Sequence, residues 1–153
     1  PDDDVDAVVA GQAAHWFDPA TAAPEITRVL RPGGVVGLIW NARDERVPWV
    51  AALGELLADE ARGHEADQTI VEQFTRELGV TEQCLESRIV QTVTPEQVVA
   101  GIATRSYAAT MDPDTREHFL GRVRDLLATH PDTRGRTRLD LPYVTAAHRL
   151  QLG

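Results

Sequence analysis

The side chains best placed to meet a ligand fall in two short segments. Gly11-Gln12-Ala13-Ala14-His15-Trp16 follows the apolar run Val5-Asp6-Ala7-Val8-Val9-Ala10, and Trp40-Asn41 closes a second apolar run that starts at Val35. If the two runs are parallel strands, both segments lie just beyond carboxyl ends, where open sheets of this kind bind ligands. Each residue also has a plainer role open to it. Trp16 and Phe17 could pack a helix onto the sheet, His15 could serve structure rather than catalysis, and Asn41 could cap the turn before Arg43.

Other chemistries lack their residues. The sequence has neither an H-E-x-x-H nor a C-x-x-C pattern for a metal ion, and it shows no catalytic triad. Cys84 is the single cysteine, so no internal disulfide is available. A packing role for it outweighs a nucleophilic one. Gly33-Gly34-Val35-Val36-Gly37 is not a G-x-G-x-x-G motif and precedes a strand instead of following one. It reads as a helix stop, not a cofactor loop.

The elements that must position these residues follow from pattern. Val5–Ala10 reads as a buried strand. Asp18-Pro19 opens a helix with Asp18 as N-cap, and Ile26, Val29 and Leu30 supply its apolar face. Pro24 lies too deep for a comfortable first turn, so a restart or kink is expected there. Arg31-Pro32-Gly33-Gly34 ends the helix, and Val35–Trp40 is a strand apolar on both faces. Two strands joined by a helix make a β-α-β unit, which implies a parallel sheet covered on both sides.

A helix is expected over Pro48–Arg62, with Trp49, Leu53, Leu56, Leu57 and Glu60 at helical spacing. A weaker one covers Asp67–Leu78 and stops at Gly79. Ser87–Val93 reads as a strand. Thr94 and Gln97 are spaced as a capping box, and Asp112-Pro113 starts a helix with Phe119, Leu120, Val123, Leu126 and Leu127 on its core face. Arg138–Leu150 is the last strand, interrupted or bent near Pro142.

The 153 residues suit one domain with a real core, and 42% hydrophobic with 25% charged residues is an ordinary globular balance. The net charge is −9 and every basic residue is Arg, so the acidic surface argues against nucleic-acid or anionic-membrane partners. No apolar run approaches the roughly 20 residues of a membrane span. The N-terminus, Pro1-Asp2-Asp3-Asp4, has no signal-peptide character, which makes the cytoplasm the expected location.

Three stretches carry a resemblance. They are Asp6-Ala7-Val8-Val9 leading into Gln12-Ala13-Ala14-His15-Trp16-Phe17-Asp18; Arg28-Val29-Leu30-Arg31-Pro32-Gly33-Gly34; and Leu38-Ile39-Trp40-Asn41-Ala42-Arg43-Asp44 with Val47-Pro48-Trp49-Val50. Together they resemble the class I S-adenosyl-L-methionine (SAM)-dependent methyltransferases of the type 11 group, and within it the small-molecule enzymes similar to the trans-aconitate type. Arg105-Ser106-Tyr107 and Leu141-Pro142-Tyr143 are similar as well. The resemblance implies a Rossmann-like α/β fold that is incomplete, a single truncated domain over residues 1–153. Residues 5–10, 35–40, 87–93 and 138–150 would stand for strands four, five, six and seven. Strands one to three, which carry the glycine-rich loop and the acidic residue for the ribose, have no counterpart here.

By the same resemblance, Gly11 and Gln12 would lie near the methionine part of SAM, with His15 and Trp16 flanking donor or acceptor. Trp40 and Asn41 would face the small-molecule acceptor, and Arg105 with Tyr107 would bind an acceptor carboxylate, for which Arg offers a bidentate fork. An exposed Arg that is simply solvated is the alternative. Methyl transfer from a sulfonium is a direct displacement in which the protein mainly orients donor and acceptor, so no triad is needed. Strand 5–10 would become an apolar sheet edge, which invites a homodimer or a separately encoded N-terminal half. Two functions are therefore expected to compete: a methyltransferase completed by such a half, and a non-catalytic remnant that dimerises or binds a ligand.

Overall fold

A computed structural model of the protein describes residues 2–58 and 64–153, of which 64–67 by backbone alone. The chain divides into two compact units. The first is Pro1–Ala42, Gly63–Ser87 and Val144–Gly153; the second is Arg43–Arg62 and Arg88–Tyr143. Each has its own core.

In the first unit, β1 (Val5–Gly11) is followed by a 3-10 turn (Ala14–Trp16), helix α1 (Pro19–Val29) and β2 (Leu30–Arg43). β1 and β2 pair in parallel, with Ala10 opposite Leu38 and Gly11 opposite Ile39, as the β-α-β pattern implied. The sheet order is β1-β2-β4-β3, where β3 is Glu82–Val93 and β4 is Leu139–Gln151. β4 opposes β2: Thr145 bonds Asn41, while the N–H of Leu152 donates to Gly34 O. β4 also opposes β3, because Arg149 meets Gln83 whereas Asp140 meets Thr92. The sheet is therefore mixed, not parallel throughout. The architecture is the expected α/β, Rossmann-like one.

One face of this sheet is sealed. Val36, Leu38 and Trp40 alternate along β2 and are buried with Ala10, Leu150, Val71 and Phe74, the last two from α3 (His64–Leu78). α1 and the 3-10 turn pack on α3. Among the described residues the opposite face is open, which corrects the expectation of cover on both sides. Val9 is 64% and Leu85 72% exposed, and Val35, Gly37 and Ile39 are only half-buried. β1 is likewise not the buried strand its composition suggested. Among the described residues it lies at the sheet edge with one neighbour, and only Ala10 of it is fully covered.

Several boundaries moved for local reasons. α1 runs unbroken through Pro24, so no restart occurs. It ends at Val29, and Arg31-Pro32-Gly33-Gly34 belongs to β2, where Gly33 takes φ +76°, open to glycine at no steric cost. β4 likewise continues through Pro142. A proline can be carried in a strand where its missing N–H is not needed, and Pro142 still accepts from the N–H of Asp44. β3 begins five residues earlier than the alternation suggested, because its residues are almost all exposed and leave no burial pattern.

The second unit holds α2 (Pro48–Ala58), α4 (Pro95–Ala103), the short α5 (Ser106–Ala109) and α6 (Pro113–Thr129). Glu60 and the rest of the expected helix beyond Ala58 lie outside the described residues. Trp49, Val50, Leu53 and Leu57 of α2 meet Phe119, Leu120, Val123 and Leu127 of α6, with Val98, Val99 and Ile102 of α4. The capping box is present: Thr94 Oγ1 accepts from Gln97 N at 3.2 Å while Gln97 Oε1 accepts from Thr94 N at 2.9 Å. Asp112 caps α6 by accepting from Thr115 N at 3.0 Å. The Thr115 side chain, and after it this backbone bond, hold the Asp112 carboxyl below its ordinary pKa. Among the described residues, no helix is long and apolar enough to cross a membrane.

Candidate functional site

The carboxyl ends of β1 and β2 are adjacent because the strands are parallel and in register, and this brings the segments after Ala10 and Trp40 together. The N–H of Gln12 donates to Ile39 O at 2.9 Å, continuing the ladder one residue past β1. Its side-chain Nε2 then reaches Asn41 O at 3.0 Å. Gln12 does this from φ +54°, a left-handed conformation uncommon for a residue with a Cβ. Strain of that kind persists where the surroundings enforce it and is concentrated at ligand sites.

Beyond Gln12 the 3-10 turn projects His15 and Trp16 outward. Their rings lie 5.2 Å apart at 45°, and Trp16 is 74% exposed. Packing the helix onto the sheet is therefore not what Trp16 does among the described residues; Ala14, at 0% exposure, fills that place. Phe17 is also exposed. Gly11 has open space where a Cβ would stand. Asn41 Oδ1 accepts from Thr145 Oγ1 at 2.6 Å, so its side chain is held by β4 and does not cap the turn before Arg43. Gly11, Gln12, His15, Trp16 and Asn41 thus share one end of the sheet in the first unit.

Trp40 points the other way. It is 4% exposed in the core, edge-on to His148 with ring centroids 5.6 Å apart. Arg105 and Tyr107 belong to the second unit. Arg105 precedes α5 and lines a small cavity of about 90 Å³ with Arg43, Gln91, Gln97 and Tyr143. Tyr107 packs edge-on against Phe119 at 6.1 Å. Cys84, expected to pack, is exposed on β3. Desolvation, then the charges of Glu82 and Glu86, push its thiol pKa up, which disfavours a nucleophilic thiolate. Sequence reasoning missed Thr145, which stands 104 residues from Asn41 with no local signal to join them.

The parallel β1-β2 pair, joined by α1 and extended by β4 and β3, is an α/β, Rossmann-like fold. Its architecture matches that of a candidate type II methyltransferase from Anaeromyxobacter dehalogenans, with TM-score 0.62 at 21% identity over 99% of this chain and 66% of that one. A candidate antibiotic-pathway methyltransferase from Anabaena variabilis matches with TM-score 0.58 at 18% identity over 96% and 67%.

Sequence comparison points the same way. Residues 1–38 match the family model described as a methyltransferase domain. An uncharacterized methyltransferase of Mycobacterium tuberculosis is 44% identical over 99% of this chain and 60% of its own length. Another from Schizosaccharomyces pombe is 50% identical over 62 residues, 40% of this chain and 24% of that protein. The resemblance to the SAM-class methyltransferases read from residues 5–50 is thereby upheld. The chain spans 60% of the length of the mycobacterial relatives it matches.

Proposed function

We propose that this chain works in SAM-dependent methyl transfer to a small-molecule acceptor, with an N-terminal half adjoining β1 completing the cofactor site. The observation that carries the reading is the convergence of Gly11, Gln12, His15, Trp16 and Asn41 at the carboxyl ends of two parallel strands. These residues fit the sulfonium part of SAM. The exposed face of Trp16 offers a cation a favourable quadrupole. The open space over Gly11 lets a ligand approach the backbone closely.

When bound, SAM supplies an already activated methyl group. The protein's own contribution is orientation: Gln12 and Asn41 tie the two strand ends together, and His15 with Trp16 wall the approach. Arg105 and Tyr107, in the second unit, remain candidates for contacts to an acceptor carboxylate, whereas Trp40 is taken up by the core. β1, at the sheet edge beside the exposed Val9, is the surface on which the N-terminal half or a second copy would pair.

The test is calorimetry with SAM on the wild-type chain and on Trp16→Ala, alone and with an N-terminal segment from a longer relative. Binding that strengthens with the segment and weakens in Trp16→Ala supports the reading. Absence of binding in both settings, with a stable dimer in sedimentation, would instead establish a non-catalytic dimerising remnant.

A further inference from the structure

Glu82, Cys84 and His148 play no part in the site above, yet they converge. Glu82 and Cys84 stand two residues apart on β3 and so project from one face of the sheet. The register that pairs Gln83 with Arg149 sets Cys84 opposite His148 on β4. One ligand atom from each residue lies within 4.8 Å of the other two. His148 is 7% exposed, its ring is packed edge-on against Trp40, and its Nδ1 lies 2.5 Å from Glu82 Oε1. Two of the donors are thus already held in place, and the third, exposed Cys84, leaves the cluster open to solvent.

We propose that Glu82, Cys84 and His148 form a zinc site that clips β3 to β4, with the fourth position left to water. The donor set decides the metal. A thiolate beside an imidazole and a carboxylate suits a borderline cation such as Zn²⁺, whereas Mg²⁺ and Ca²⁺ require oxygen donors. Tetrahedral bonds of about 2.0–2.3 Å place ligand atoms about 3.5 Å apart. The cluster reaches that size when rotation of the exposed Cys84 side chain closes its longest separation by roughly 1 Å and the Glu82–His148 contact opens by about as much. Binding displaces the thiol proton to solvent, and the ion takes over the contact now made between Glu82 and His148.

Cobalt(II) is the probe, with Zn²⁺ as competitor. The purified protein should take up one equivalent of Co²⁺ with a thiolate-to-metal charge-transfer band, and Zn²⁺ should bleach it. Cys84→Ser, at an exposed position that leaves the fold intact by circular dichroism, should lose the band and weaken Zn²⁺ binding about tenfold or more. Glu82→Gln should weaken binding while keeping the band. Zn²⁺ should raise the melting temperature of wild type and not of Cys84→Ser. A protein without the charge-transfer band, or a Cys84→Ser variant with wild-type Zn²⁺ affinity, would overturn the assignment.

Discussion

Replacing Gln12 by glycine and by alanine separates two effects that coincide at the candidate site. Gln12 sits at φ +54°, and its Nε2 donates to Asn41 O at 3.0 Å. Both substitutions remove that exposed hydrogen bond, which is worth about 0.5 kcal/mol. Only glycine removes the cost of holding a Cβ in left-handed backbone, about 1 kcal/mol. Gln12→Ala should therefore lose about 0.5 kcal/mol, and Gln12→Gly should gain about as much. For a chain of this size a 1 kcal/mol gap between the two variants corresponds to about 3 °C in melting temperature. Urea and thermal unfolding, followed by far-ultraviolet circular dichroism, read the difference directly. If Gln12→Ala proves as stable as Gln12→Gly, the backbone stores no strain at this position and Gln12 is not marked as a ligand site by its conformation.

Three other outcomes are expected. Phe74→Ala removes a fully buried ring between α3 and the sheet and should cost about 3–5 kcal/mol, seen as a lower urea midpoint. Thr94→Ala opens the capping box of α4 and should cost about 1 kcal/mol, with a drop below 0.3 kcal/mol telling against the box as a stabiliser. Asp44 is held at about 2, below its ordinary 3.8, chiefly by the hydrogen bond from the Arg46 guanidinium. A depressed carboxyl stabilises the fold above the ordinary carboxylate range and loses that contribution as pH falls through about 2. Arg46→Ala should bring the Asp44 titration, followed by NMR of the side-chain carbonyl, back up toward 3.8.

Local chemistry in the chain was sufficient wherever one segment determines its own structure. Thr94 and Gln97 needed only their spacing to declare a capping box, Asp112-Pro113 declared a helix start, and Gly79 closed α3 at φ +65°. The β-α-β order gave parallel pairing of β1 with β2, and hence the meeting of Gln12 with Asn41. Burial was less legible. Val5–Ala10 has the composition of an interior strand, but composition does not say how many neighbours a strand has, and among the described residues β1 has one. Exposed β3 lacked the alternation that would have placed its start.

What only the tertiary structure decided are the contacts between residues far apart in sequence. Thr145 meets Asn41, and His148 meets Glu82 across 66 residues, because β4 runs between β2 and β3 and opposes both. A strand's order in a sheet depends on which faces and edges remain to be paired once all the others are in place, a property of the whole chain that no short pattern encodes. The sequence therefore determined the elements and the end of the sheet where a ligand would sit. The packing determined that Trp16, on the 3-10 turn, faces solvent, where Ala14 fills the buried place, while Trp40 faces the core because the side chains of β2 alternate between a sealed face and an open one.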